Sequence, residues 1–185
     1  MEKEQVLENT LGVYLTLLKE YWYTHSFLSY QWWTMILITI IPWFIWWKFV
    51  DKKRLMEILL FGLLMMFTTV LVAPLEQNLN LLQFIQRIHW SLTTPLYPYE
   101  ITILPVSFMF IYQYSKNWTS YVIGTLFLSC FLVFILIPVL IKLDYLFFVS
   151  YLSFVICFTL LIIFSLLSRW ILSTHFFKKG NVNYD

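Results

Sequence analysis

APLEQNLNLLQFIQRIHWSLTTPLYPYEITILPVSFMFIYQY, residues 73–114, interrupts what is otherwise a succession of long apolar runs. Within it, apolar patches alternate with Glu76, Gln77, Gln83, Gln86, Arg87, His89 and Glu100, and Pro74, Pro95, Pro98 and Pro105 recur. Proline removes a backbone donor and ends or bends helices. The stretch therefore reads as an excursion between two membrane spans, and a binding site is expected in it. Residues 79–90 carry partial helical periodicity at Leu82, Ile85 and Trp90. They are too few and too polar to cross a bilayer, so a short interfacial or re-entrant helix is expected there. Residues 91–100 are expected as a proline-punctuated loop.

Outward from this excursion, five spans are expected. Residues 31–47 form the first, with Trp32 and Trp33 at one end and Trp43, Trp46 and Trp47 at the other. Indole rings favour the headgroup level of a bilayer. Residues 55–75 form the second, ended or bent at Pro74, with Thr69 and Ala73 as a small pair permitting close helix contact. Residues 101–114 are a short third span, 119–141 the fourth with a Ser120 and Gly124 small pair, and 146–168 the fifth. The lengths sit around the roughly 20 residues that a crossing helix needs. Before them, Leu7, Leu11, Tyr14, Leu18 and Tyr21 recur on one helical face. An amphipathic helix is expected there, and its acidic charge favours packing on protein over binding anionic lipid. The fold class is thus an all-α polytopic transmembrane bundle. Residues 1–30 are its amphipathic segment, 31–170 the bundle and 171–185 a cytoplasmic tail.

Composition agrees. Of 185 residues, 61% are hydrophobic and 12% charged, against roughly 45–50% and about 25% in soluble domains. The net charge of +2 gives no reason to expect a nucleic acid partner. The bilayer is the expected surrounding, with a membrane protein or a second copy as the candidate partners. The opening residues MEKEQVLEN lack the basic region and apolar run of a secretory leader, so the first span is expected to begin insertion. Cys130 and Cys157 fall inside apolar runs, with neither disulfide nor metal spacing, and are expected as small buried side chains. With the turn at residues 48–54 placed in the cytoplasm, eight of the twelve Lys and Arg residues lie inside. The positive-inside rule then sets the N-terminus out, the C-terminus in and the excursion on the outer face of the cell membrane.

Residues 97–114, YPYEITILPVSFMFIYQY, resemble the signature of a family of small membrane proteins of unknown function from spore-forming Bacillota. The segment DKKRLMEILLFGLL, the acidic Glu76 and the Trp in the turn at Trp118 resemble the same family. The resemblance covers roughly residues 46–141. Members tend to carry Asp where Glu100 stands, and a shorter N-terminus. The resemblance implies a five-span cell-membrane protein and no particular activity.

Glu76 and Glu100 are the principal candidate site residues. Each closes one end of the excursion, and they are expected to face one another across a polar pocket at the outer rim. Glu76 is placed just past a helix C-terminus, where the dipole disfavours a carboxylate, so Arg87, a Tyr hydroxyl or a proton is expected to hold it. Glu100 is placed at a helix N-terminus. Arg87 or His89 is expected to supply opposite charge, Tyr97 and Tyr99 the walls, and Gln113 a hydrogen-bonding amide inside the bundle. No metal or cofactor motif is present. The expected role is a non-enzymatic module binding a small molecule or partner protein at its outer face. The alternatives are a small intramembrane enzyme using the paired carboxylates as acid and base and, behind it, a transporter.

Overall fold

The computed structural model describes residues 2–79, 81–84, 86–92, 98–148 and 151–179. Helix α1 (Glu2–Tyr21) ends in a wide π-type turn, Trp22–Ser26. Helix α2 (Tyr30–Phe49), a tight turn (Lys52–Arg54) and helix α3 (Leu55–Asn78) lead to strand β1 (Leu82–Phe84). A second wide turn, Tyr99–Ile103, runs into α4 (Leu104–Tyr114). Helix α5 (Trp118–Phe131) continues through a third, Leu132–Leu136, into α6 (Ile137–Lys142). Strand β2 (Leu146–Phe148) precedes α7 (Tyr151–Lys179).

Four stretches are long and apolar enough to cross a membrane: Tyr30–Phe49, Lys52–Asn78, Trp118–Lys142 and Tyr151–Thr174. Only 11% to 33% of each apolar window is buried inside the protein. Such outward apolar surface suits a helical bundle solvated by lipid, because helices satisfy their own backbone donors and acceptors. The protein is therefore an all-α multi-span bundle among its described residues, and its apolar helices suggest association with a bilayer. The remaining expected span is shorter. The Tyr99–Ile103 turn and α4 hold five and 11 residues, or about 24 Å of helix at about 1.5 Å per residue.

Helix starts follow local chemistry. The Ser29 hydroxyl caps α2 by accepting from the Trp32 N–H at 3.1 Å. Asn117 caps α5 by accepting from the Ser120 N–H at 2.8 Å. Helix α4 packs on both α3 and α5, and α7 packs on the same two helices. The core lies among them: Ile58, Phe61 and Met65 of α3, Phe108, Met109 and Tyr112 of α4, Tyr121 of α5 and Leu161 of α7. Two glycines set the closest approaches. Gly62 lies against Met109, and Gly124 lies against Ile111, whose Cγ2 would be 3.0 Å from an added Cβ. Gly124 belongs to the expected small pair; Gly62 does not. The bundle has two ends. The basic end holds the Lys52–Arg54 turn and the start of α5; the excursion end holds the end of α3, β1, β2 and the Tyr99–Ile103 turn.

Several expectations are corrected. Residues 79–90 hold no helix among the described residues. Instead β1 pairs antiparallel with β2 in the register Leu82↔Phe148, Gln83↔Phe147 and Phe84↔Leu146. A non-spanning segment must still satisfy its backbone groups, and the residues expected to open the last span supply the partner strand. That span starts later, at Tyr151, and its helix runs on to Lys179, through residues expected as tail. Helix α3 does not stop at Pro74 but continues to Asn78. The proline forfeits one bond back along the helix, while later donors resume, as in Leu79 N–H to Leu75 O at 2.9 Å. Helix α1 forms as expected, yet none of its residues is buried. Instead of packing along its length, it is tied to residues 87–90 by Tyr14 and Lys19.

Candidate functional site

Two prolines shape the walls of the principal cavity. Pro105 and Pro138 each stand two residues after a wide turn, Tyr99–Ile103 and Leu132–Leu136. A proline in a helix has no N–H to give, and its ring clashes with the carbonyl four residues back. Those carbonyls belong to Ile101 and Phe134, inside the two turns. Widening the turn relieves the clash, and it re-aims the side chains around it.

The Tyr99–Ile103 turn is pinned from both flanks. The Thr69 hydroxyl of α3 donates to the Glu100 carbonyl at 3.2 Å. The Thr102 hydroxyl donates to the Thr39 carbonyl of α2 at 3.1 Å and accepts from Trp43 Nε1 at 3.2 Å. Glu100 is thereby held inside, only 4% exposed.

Glu76, Tyr99 and Glu100 line one cavity, together with Thr69 and Ala73 of α3, Ile137 and Leu140 of α6, and Cys157 and Leu161 of α7. Its volume of about 50 Å³ is room for a few waters, or for the head of a larger molecule entering from an open side. Seven residues separate Thr69 from Glu76, so the cavity extends roughly 10 Å along α3. The walls are apolar, and the carboxyl groups are its chemical features. A buried carboxylate is costly unless it meets a cation or donors, or carries a proton. The cavity thus suits a cationic or hydrogen-bond-donating group on an apolar body.

Glu76 is held differently from expectation. It lies within α3 rather than beyond it, and its partner is the Cys157 thiol, which donates to Oε1 at 3.4 Å. Cys157 was expected only as a small buried side chain. The sequence does carry a signal for its placement, since Ser153, Cys157, Leu161 and Ser165 recur every four residues, and all are buried on one stripe of α7.

Arg87, His89 and Gln113 are not among the residues lining the cavity. Arg87 donates to the Leu92 carbonyl at 3.3 Å, and its own carbonyl accepts from Trp22 Nε1 at 3.0 Å. Burial pulls its guanidinium below the ordinary arginine range, opposed by the Tyr14 hydroxyl. His89 pairs with the Ser91 hydroxyl at 2.8 Å and packs against the Trp22 ring. Both residues therefore fasten the N-terminal segment to the excursion. Gln113 works at the opposite end. Its Oε1 accepts from the Asp51 N–H at 3.1 Å and its Nε2 donates to the Phe49 carbonyl at 3.0 Å, closing the turn after α2. Tyr97 lies outside the described residues. Among the described residues no group of three or more His, Cys, Asp or Glu side chains is placed to hold a metal ion.

Comparison with protein-family models, curated proteins and solved structures found no match.

Proposed function

We propose that the protein is a non-enzymatic, five-span module of the cell membrane that binds a small molecule at its extracytoplasmic face. The ligand is a largely apolar molecule bearing one cationic or donor group, seated between Glu76 and Glu100. The observation carrying this reading is that two carboxyl groups 24 residues apart in sequence line a single apolar cavity. Such a combination, apolar walls with few polar groups, is the usual form of a small-molecule site. The five-span count takes the Tyr99–Ile103 turn with α4 as the short third crossing, in keeping with the resemblance of residues 97–114 to a five-span family.

The test is retention of the small molecule that co-purifies with the protein from its own host, identified by mass spectrometry. Glu76→Gln and Glu100→Gln are each expected to lower retention about tenfold or more, with the thermal transition of the protein preserved. Full retention by either variant would sink the shared-site reading. Loss of folding in both would assign the carboxyl groups a structural role. The enzyme reading is favoured by one observation, that Tyr99 and Cys157 stand in the same cavity as the carboxyl groups. It requires that the bound molecule be released chemically changed.

Orientation rests on the excess of Lys and Arg toward the basic end. In a background lacking Cys130 and Cys157, Lys52→Cys is expected to react with an impermeant maleimide only after the membrane is opened. Reaction in intact cells would place the cavity on the cytoplasmic side.

A further inference from the structure

At the basic end, away from the cavity, three aromatic rings close on Arg169 of α7. Its guanidinium carbon lies 4.3 Å from the Tyr121 ring centre, 5.0 Å from that of Trp118 and 5.7 Å from that of Tyr112. Among the described residues no carboxylate forms an ion pair with it, and its Nη1 is buried without a hydrogen-bond partner. The neighbouring carboxylate, Glu57, is already committed. It receives Arg54 Nε at 3.0 Å and Nη2 at 3.1 Å, and the Tyr112 hydroxyl at 2.5 Å. Arg54 also stands 5.7 Å from the Tyr112 ring centre, so the two guanidinium carbons are at most 11.4 Å apart by the triangle inequality.

A guanidinium on an apolar helix is costly without an anion. Aromatic faces offset part of that cost through cation–π attraction, but they leave the forked N–H donors unmet. The missing partner is therefore an anion of forked-acceptor geometry. Carboxylate and phosphate both fit the fork, and the depth of the site favours phosphate. Arg169 is level with Trp118, the first residue of α5, and Trp marks the headgroup level of a bilayer. The N-terminus of that 14-residue helix adds a positive potential at the same place. In the sequence flanking the turns of this end, Lys48, Lys52, Lys53 and Lys116 outweigh Asp51. Arg169 keeps part of its surface open.

We propose that Arg169, assisted by Arg54 and the start of α5, binds the phosphate ester of an anionic phospholipid. The Tyr112, Trp118 and Tyr121 rings hold the guanidinium at the depth of the lipid phosphates. This site is independent of the Glu76 and Glu100 cavity and of which face of the membrane the basic end occupies.

The test is native mass spectrometry of the full-length protein in a mild detergent. The probes are phosphatidylglycerol, phosphatidylcholine and soluble glycerol 3-phosphate. Phosphatidylglycerol is expected to be retained over phosphatidylcholine, and Arg169→Gln to lower its retention about tenfold or more. Lys53→Gln removes the same charge from an exposed position and is expected to lower it by no more than about fivefold. Arg169→Lys keeps the charge without the fork and is expected to fall between the two; it also serves if Arg169→Gln does not fold. Binding of glycerol 3-phosphate that depends on Arg169, without retention of the lipid, supports the same phosphate chemistry from a soluble source. Equal retention of phosphatidylglycerol by the protein and both Arg169 variants overturns the site, as does an equal loss in Lys53→Gln.

Discussion

Gly62→Ala is expected to destabilise the bundle by about 1–3 kcal/mol, measured as a lowered midpoint of thermal or denaturant unfolding in detergent. Propensity alone predicts the opposite sign. Glycine inside a helix costs about 1 kcal/mol relative to alanine, so at an open position the substitution would stabilise α3. Position 62 is not open. An added Cβ would overlap Met109 Sδ, with Met109 Cγ at 3.0 Å and Cε at 3.1 Å. Met109 is itself fully buried in α4, so its thioether must repack inside the core or α3 and α4 must move apart. The double variant Gly62→Ala/Met109→Ala removes the overlap. Its cost is expected to fall short of the sum of the single costs by about 1 kcal/mol or more. Additive costs, or a stabilised Gly62→Ala, would mean that the two helices pack less closely than the structure describes.

Tyr121→Ala is expected to cost about 3–5 kcal/mol, the range for deleting a buried aromatic ring. Tyr121→Phe is expected to cost about 1 kcal/mol. The ring is fully buried. It meets Phe61, Tyr112 and Trp118 edge-on at 6.2 to 6.3 Å and lies beneath Arg169. Its hydroxyl donates to the Ser165 carbonyl at 2.9 Å, which anchors α5 to α7. Losing the ring opens a void where α5 meets α3, α4 and α7 and takes away the closest aromatic face of a guanidinium. Losing the hydroxyl leaves both intact. Unfolding of the two variants in the same detergent separates these contributions. A Tyr121→Phe cost equal to that of Tyr121→Ala would assign the whole effect to the hydroxyl.

What the sequence made legible follows from the range of each interaction. Long apolar runs and Trp positions are local signals; they mark three long helices within about three residues of where those helices lie, whereas the last starts five residues later than expected and runs eleven further. Glu76 and Glu100 line one cavity, and both flank one excursion whose two ends must come together. The third and second helices were expected to neighbour one another, and α3 and α4 do. Contacts between distant segments were not legible. Nothing local to residues 82–84 announces a strand whose partner lies more than sixty residues on. Arg87 and His89 looked like cavity residues because they sit in the same excursion, but the N-terminal segment, through Tyr14 and Trp22, engages them instead. Gln113 stands among apolar neighbours, and its partners are the backbone of the turn after α2 rather than another span. Gly62 escaped notice because its constraint is a methionine 47 positions away.

The wide turns that precede Pro105 and Pro138 give the cavity an unusual kind of fragility. A π-type turn is a helix carrying one residue more than its regular pitch requires. Side chains before and after it are therefore out of phase by about 100° relative to an uninterrupted helix. Chain length in these five-residue segments acts as an angular setting. Dropping one residue from Leu132–Leu136 would restore the regular pitch and turn Ile137 and Leu140 away from the cavity, with every side chain of the wall chemically unchanged. The same holds for Glu100 in Tyr99–Ile103. Insertions and deletions, rather than substitutions, are the changes that would redirect this wall, and a helical wheel drawn across either turn assigns its inward face wrongly.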